Sequence, residues 1–265
     1  MIYLNPDFQA LWSGKDSFTE AFQLEGEIFR SVKSRRTFRF ELNGKGYFAK
    51  VHHGVGWGEI FKSLLQFKRP VLSARNEYEA IRKLEQLGVA TMKVTAFGER
   101  GKNPATIESF IITEELVNTA SLEDFCRDWK DSPPPFALKK ALIEYVASAV
   151  CTLHRNGVNH RDCYICHFLL DTSRDWKNGI HAPLIDLHRA QLRKKTPRRW
   201  VVKDVAGLYF SAMDNGLTQR DHFRFMEIYS GKPLRETLQK DTPFWRTVEK
   251  TARRLYAKEQ RKPKG

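Results

Sequence analysis

The stretch Val158-Asn159-His160-Arg161-Asp162, running on through Cys163-Tyr164-Ile165-Cys166-His167-Phe168-Leu169-Leu170, decides how the rest of the chain is read. It follows a segment, 136–155, whose apolar residues Leu138, Leu142, Tyr145, Ala149 and Leu153 recur at helical spacing and which Asn156-Gly157 ends. A lone His-Arg-Asp most often means a salt-bridged turn, so the neighbours carry the argument. Twenty-four residues after Asp162, the run Pro183-Leu184-Ile185-Asp186-Leu187 sets a second aspartate just behind a short apolar strand.

Upstream, the order of elements changes. Segments 28–32, 37–42 and 47–51 read as strands, the last two joined by Asn43-Gly44-Lys45-Gly46, where Asn-Gly supplies the positive φ of a tight hairpin. A short helix is expected around 59–66 and a stronger one over 74–87, capped by Gly88. Two more strands fit 91–98 and 108–114. Ser121-Leu122-Glu123-Asp124 opens another short helix, Pro133-Pro134-Pro135 is a rigid link, and Thr218 with Asp221 caps a helix over 218–229. Strands first and helices afterwards predict an α+β chain with its boundary near 115–118, that is, units 1–116 and 117–265.

His160-Arg161-Asp162 resembles the catalytic loop of protein kinases, in which the aspartate takes or orients the acceptor hydroxyl proton. The resemblance implies a two-lobed protein-kinase-like fold, with an antiparallel-sheet N-lobe carrying one main helix and a mostly helical C-lobe. It casts Asp162 as catalytic base and Asp186 as the Mg²⁺ ligand, although Asp186-Leu187-His188 replaces Asp-Phe-Gly. Lys50, ending the third strand, takes the place of the lysine that contacts the ATP α- and β-phosphates. Its partner belongs on the next helix. Glu77, Ile81 and Leu84 share one face, whereas Glu79 falls nearly opposite Ile81, so Glu77 is the expected carboxylate. The glycine-rich phosphate loop is absent; Ser31, Lys33 and Ser34 stand in its place and offer hydroxyls and a cation. Glu114 and Leu116, at the boundary, are further nucleotide contacts implied by the same likeness. Five residues after Asp162, His167 replaces the Mg²⁺-binding asparagine, and imidazole is a poor ligand for that hard ion.

Cys163-Tyr164-Ile165-Cys166-His167 also matches Cys-x-x-Cys-His, the c-type haem attachment sequence, and with His160 nearby could offer zinc ligands. Haem attachment of that kind belongs to exported proteins, and Cys126 and Cys151 lie singly. The expectation is two small residues packed in a catalytic loop.

Several longer runs make the resemblance specific. His160–Leu170, Ile185-Asp186-Leu187-His188-Arg189-Ala190-Gln191, Phe110-Ile111-Ile112-Thr113-Glu114, Pro197-Arg198-Arg199-Trp200, Lys203-Asp204 and Gly216-Leu217-Thr218-Gln219-Arg220-Asp221 resemble the lipopolysaccharide core heptose(I) kinases of Gram-negative bacteria. The likeness runs over essentially the whole chain. It implies ATP- and Mg²⁺-dependent phosphorylation of the first inner-core heptose, on the cytoplasmic face of the inner membrane. A protein kinase is the rival within enzymes. A pseudokinase-like basic module that binds anionic membrane or an acidic protein partner is the rival outside them.

Charge fits such an acceptor. Across 265 residues, 45 Lys and Arg stand against 31 Asp and Glu, a formal net of +14; such a surface attracts polyanions. Residues 30–39 hold five basic and no acidic side chains. Residues 187–203 hold seven more basic residues, with Arg189, Arg198 and Arg199 the candidates for acceptor binding. In the basic tail, 246–264, Trp245, Val248, Ala252 and Leu255 form a stripe that suits either an interfacial helix or packing on the C-terminal half. No recognised nucleic-acid module accompanies the charge. No export signal or spanning segment is evident, so four reduced thiols and a cytoplasmic, peripheral protein are expected.

Overall fold

Strand pairing is clearest where the turn chemistry is strongest. The computed structural model describes residues 1–32, 34–65 and 70–261. In it Leu42 pairs with Lys45 across Asn43 and Gly44, both at positive φ, 51° and 73°, as a two-residue hairpin demands. This hairpin is the middle of a six-stranded antiparallel sheet: β1 (Ile2–Leu4), β2 (Glu27–Val32), β3 (Arg35–Leu42), β4 (Lys45–His53), β5 (Val94–Arg100) and β6 (Glu108–Glu114), in spatial order β1-β5-β6-β4-β3-β2. The chain divides into two units. The first takes Met1–Lys83, Met92–Leu116 and Leu187–Arg189; the second takes Leu84–Thr91, Val117–Asp186 and the chain from Ala190.

In the first unit the sheet alternates cleanly. Phe38 and Phe40 of β3, and Tyr47, Ala49 and Val51 of β4, are buried on one face with Phe110 and Ile112 of β6. Against them pack two short helices, α1 (Pro6–Leu11) through Phe8 and α2 (Ser17–Gln23) through Phe18 and Ala21, with Trp12 between them. Neither these helices nor β1 is among the elements expected from sequence, because six or seven residues complete no readable period. Their caps were the available signal: Asn5 accepts from the Phe8 amide at 2.9 Å with Pro6 opening the helix, and Asp16 accepts from Thr19 at 3.0 Å. After β4 come α3 (Gly56–Leu65) and α4 (Arg75–Gln86).

The second unit is mostly helical. Its elements are β7 (Thr119–Ser121), α5 (Leu122–Phe125), α6 (Phe136–Arg155), β8 (Val158–Asn159), β9 (Leu169–Asp171), β10 (Gln191–Leu192), α7 (Arg198–Ser211), α8 (Gln219–Ser230), α9 (Leu234–Lys240) and α10 (Thr242–Gln260). β7 pairs with β9 and β8 with β10. α8 carries the full capping box, Thr218 and Asp221 each bonding the other's backbone amide. The expected strand over 91–98 is split: Thr91 bridges to Leu184 in the second unit, while β5 begins at Val94. The stripe of the tail helix is also settled. Val248 and Ala252 are buried against Val202, Val205 and Ala206 of α7, with Trp245 packed at the edge. Those residues belong to a core, not to a membrane-facing surface.

Candidate active site

Lys50 owes its position to strand alternation. Ala49 and Val51 enter the core, so Lys50 points to the other face, in register with Thr37 and Ile111, and Ile111 in turn with Phe97. On that face α4 stacks Tyr78 on Phe97, ring centroids 4.1 Å apart, and one residue earlier presents Glu77. Lys50 Nζ lies 2.6 Å from Glu77 Oε1, and the carboxylate residue is only 3% exposed. Two residues along β4, His52 is also buried; burial first, then the charges of Arg35 and Lys50, depress its pKa to about 3. The imidazole is therefore neutral beside the lysine.

The other nucleotide candidates of this unit are placed less decisively. Ser31 is exposed on β2 opposite Arg36, and the Ser34 carbonyl accepts from the His53 amide at 2.9 Å. Lys33 lies outside the described residues. Burial pushes Glu114 up, but bonds from Lys45 (2.7 Å) and Lys93 (2.9 Å) outweigh it and leave its carboxyl below the ordinary range. The Glu114 amide is bonded to the Lys93 carbonyl, and Glu115's to Gly46's. Of the basic run 30–39, Arg36 holds the Phe22 and Leu24 carbonyls and Arg39 is paired with Glu115, so part of that charge is structural.

In the second unit the loop after α6 begins at Gly157, whose φ of 78° and closeness to the Arg193 carbonyl leave no room for a side chain. Arg161 (φ 75°) and Asp186 (φ 60°) also occupy the left-handed region. A non-glycine residue there costs free energy and persists only when its surroundings hold it. Those surroundings are visible. Asp204, 1% exposed inside α7, accepts from the His160 amide at 2.6 Å and the Arg161 amide at 2.8 Å. His154 Nε2 lies 3.3 Å from the same carboxylate, and its Nδ1 is 2.7 Å from the Tyr229 hydroxyl. Lys203, beside Asp204, donates to the Arg161 carbonyl and lies 3.5 Å from Asp162 Oδ1.

The segment before Asp186, expected as a strand, forms only isolated bridges at Leu184 and is braced on both sides. Leu184 bonds the Ala90 carbonyl, Ile185 bonds the His167 carbonyl, and the His160 ring donates from Nε2 to the Ile185 carbonyl at 2.9 Å. Burial lowers the pKa of His160, keeping it neutral. His160 stacks on His167, centroids 5.4 Å apart. His167 in turn donates from Nδ1 to the Asp162 carbonyl (2.8 Å), and its Nε2 lies 3.6 Å from Asp186 Oδ2. With the proton assigned to Nδ1, a nitrogen lone pair and a carboxylate oxygen face one another, an arrangement that a cation between them satisfies. Asp162, His167 and Asp186 thus form one connected group. Arg198 and Arg199 begin α7 in the same unit, whereas Arg189 falls in a 3₁₀ turn grouped with the first unit and is not placed beside them.

The two buried pillars of this loop, Asp204 and His154, carried no role in the sequence reading. A readable sign exists for the first: Asp204 lies beside Val205 and four residues before Leu208, both buried, so it falls on a second enclosed side of the helix and needs partners. The cysteines hold no thiolate character. Burial pushes Cys166 up to about 11 and Cys126 up to about 12, and Cys163, fully enclosed, rises well above its ordinary value. Among the described residues no three His, Cys, Asp or Glu side chains gather as a metal cluster.

Residues 19–229 match the model of the lipopolysaccharide kinase (Kdo/WaaP) family. The lipopolysaccharide core heptose(I) kinase WaaP of Pseudomonas aeruginosa is 51% identical over 261 residues, covering 98% of this chain and 97% of that protein. The protein of the same name from Escherichia coli K12 is 50% identical, with 99% of each chain covered. A solved structure titled WaaP in complex with acyl carrier protein superposes with a TM-score of 0.85 at 47% identity, covering 97% of this chain and 99% of that one. With a family match over most of its length and relatives half identical from end to end, the chain belongs to the lipopolysaccharide kinase (Kdo/WaaP) family, a family of protein-kinase-like enzymes.

Proposed function

We propose that this chain transfers the γ-phosphoryl group of ATP to a hydroxyl of the first heptose of the lipopolysaccharide inner core. The observation that carries the mechanism is the loop pinned by Asp204, which holds the backbone of His160 and Arg161, the two residues before Asp162, with Arg161 in the left-handed region. Asp162 accepts the proton of the attacking hydroxyl as the new P–O bond forms and the bond to the ADP oxygen breaks. Lys50, oriented by Glu77, is the cation for the α- and β-phosphates, and residues 1–116 form the nucleotide-binding part. Ser31 and Ser34 serve the phosphates and the Glu114–Leu116 backbone serves the base. Residues 117–265 carry the catalytic loop and the acceptor site, with Arg198 and Arg199 as acceptor contacts and Arg189 a further one.

The donor set fits Mg²⁺: Asp186 supplies the carboxylate oxygen that a hard cation prefers, and His167 Nε2 is a weaker donor. When bound, Mg²⁺ neutralises charge developing on the β- and γ-phosphate oxygens. His167 also donates to the Asp162 carbonyl, so one ring links the catalytic loop to this donor pair.

Two further readings follow. The relative solved with acyl carrier protein suggests that this chain binds an acyl carrier protein too, and its own net charge of +14 would suit an acidic partner. An apolar cavity of about 500 Å³ in the second unit, lined by residues such as Leu142, Val146, Leu208, Phe225 and Met226, is of a character to take an acyl chain. No helix among the described residues is long and apolar enough to cross a membrane; work at the cytoplasmic face of the inner membrane would be peripheral, through charge. The deciding experiment is transfer of label from γ-labelled ATP to purified core lipopolysaccharide lacking that phosphate. Labelling of protein in place of lipopolysaccharide would favour a protein kinase, and labelling of neither a basic binding module.

A further inference from the structure

Five cations line a single pocket of about 620 Å³ in the second unit, next to the catalytic loop. They are Arg161 from that loop, Arg198, Arg199 and Lys203 from α7, and Arg254 from α10. Helical spacing explains the gathering. Arg199 and Lys203 are four residues apart on α7, while Thr247, Thr251 and Arg254 share one face of α10. Packing of Val202, Val205 and Ala206 on Val248 and Ala252 holds the two faces against each other.

No acidic residue is among those lining the pocket. Several of its cations rest on aromatic rings: Arg161, Arg199 and Lys203 lie 5.0, 5.4 and 5.9 Å from the Trp200 ring, and Arg198 lies 5.6 Å from that of Phe244. A π face positions a cation without cancelling its formal charge as a carboxylate would. Lys203 is also paired with the Asp162 carboxylate at 3.5 Å, and a pocket lining in which Arg198, Arg199 and Arg254 gather with no acid attracts an anion. A volume of this size also suits a small ligand.

We infer that this pocket is a subsite for an anionic group, a carboxylate or phosphate, on the sugar adjoining the heptose that is phosphorylated. The inference rests on the proposed acceptor and deepens it. Arginine forks match the two oxygens of either anion. Lys203 reaches from the pocket to within 3.5 Å of Asp162 Oδ1, so an anion seated there sets the neighbouring sugar's hydroxyl at the catalytic carboxylate. The subsite thus selects a heptose by the charge of the sugar beside it.

The test is steady-state kinetics of an Arg199→Gln/Arg254→Gln variant on purified core oligosaccharide, compared with wild type and with Lys240→Gln, an exposed change on α9. The expected result is a KM for oligosaccharide raised about tenfold or more, a KM for ATP unmoved, and Lys240→Gln indistinguishable from wild type. Equilibrium dialysis of the oligosaccharide without ATP should show the same weakening, independently of turnover. Oligosaccharide with its carboxylates reduced to alcohols, and oligosaccharide stripped of phosphate, identify the anion: on whichever lacks it, variant and wild type become equal. An unchanged KM and unchanged binding overturn the subsite, as does a defect that persists on both neutralised acceptors. So does a variant that loses acyl carrier protein binding while keeping its KM for oligosaccharide. A wild-type chain that labels no lipopolysaccharide defeats the proposed function instead, so the two failures are told apart.

Discussion

The lysine–glutamate pair of the first unit and the aspartate-bearing loop of the second are built in opposite ways. Lys50 and Glu77 sit on a regular strand and a regular helix, and one ion pair of 2.6 Å joins them. Asp162 and Asp186 sit on irregular backbone with positive φ at Arg161 and Asp186, held by amide bonds to a buried carboxylate and by a braced segment before Asp186. A residue on a regular element inherits its direction from the element's period, whereas a residue on a loop must be held by partners of its own. The first design tolerates local change; the second concentrates its dependence in a few buried polar groups.

That contrast can be broken or sharpened by substitution. Asp162→Ala should lower kcat by about 10²- to 10⁴-fold with a far smaller change in thermal midpoint, since it removes a positioned base while the Asp204 bonds to the loop remain. A folded variant with near-normal turnover would overturn the assignment. Asp204→Ala touches no substrate, yet it orphans the buried His160 amide, at about 1–3 kcal/mol, and the partly buried Arg161 amide at less. Its expected signature is a loss of stability in denaturant unfolding together with reduced kcat. Asp204→Asn, which keeps the volume but sets an NH₂ group against one of the amides, should recover stability more than activity.

In the first unit the effects should be smaller. Glu77→Gln keeps the shape of α4 but weakens the hold on Lys50, so kcat/KM for ATP should fall by roughly tenfold, about 1.4 kcal/mol of transition-state stabilisation. The acceptor KM should stay put; a change in acceptor KM alone would remove Glu77 from the nucleotide side. The last prediction concerns acid. His52 has a folded pKa near 3 against an ordinary 6.5, so the unfolded chain takes up the proton first as pH falls. Stability should therefore decline from about pH 6.5 downward at up to about 1.4 kcal/mol per pH unit, costing about 2 kcal/mol by pH 5. Buried His160 and half-buried His222, both lowered by desolvation, act in the same direction. Denaturant midpoints at pH 7 and pH 5 check this, and His52→Asn should flatten the slope.

The sequence alone determined what depends on local chemistry and period. Asn43-Gly44 specified the hairpin that registers β4, alternation turned Lys50 away from the core, and helical spacing chose Glu77 over Glu79. Thr218 and Asp221 read as a cap and are one, and Gly157 marks the end of α6 because only glycine fits there. The tertiary structure alone decided the rest. Asp204 sits more than forty residues from the amides it holds, Arg254 reaches the pocket from the last helix, and Arg36 and Arg39 turn from surface charge into bonded structure. The tail stripe admitted a membrane or a core until α7 was seen to cover it. Period and turn chemistry act over one to four residues and can be read in order. Burial of a polar group depends on which distant segments supply its partners, and no local pattern encodes that choice.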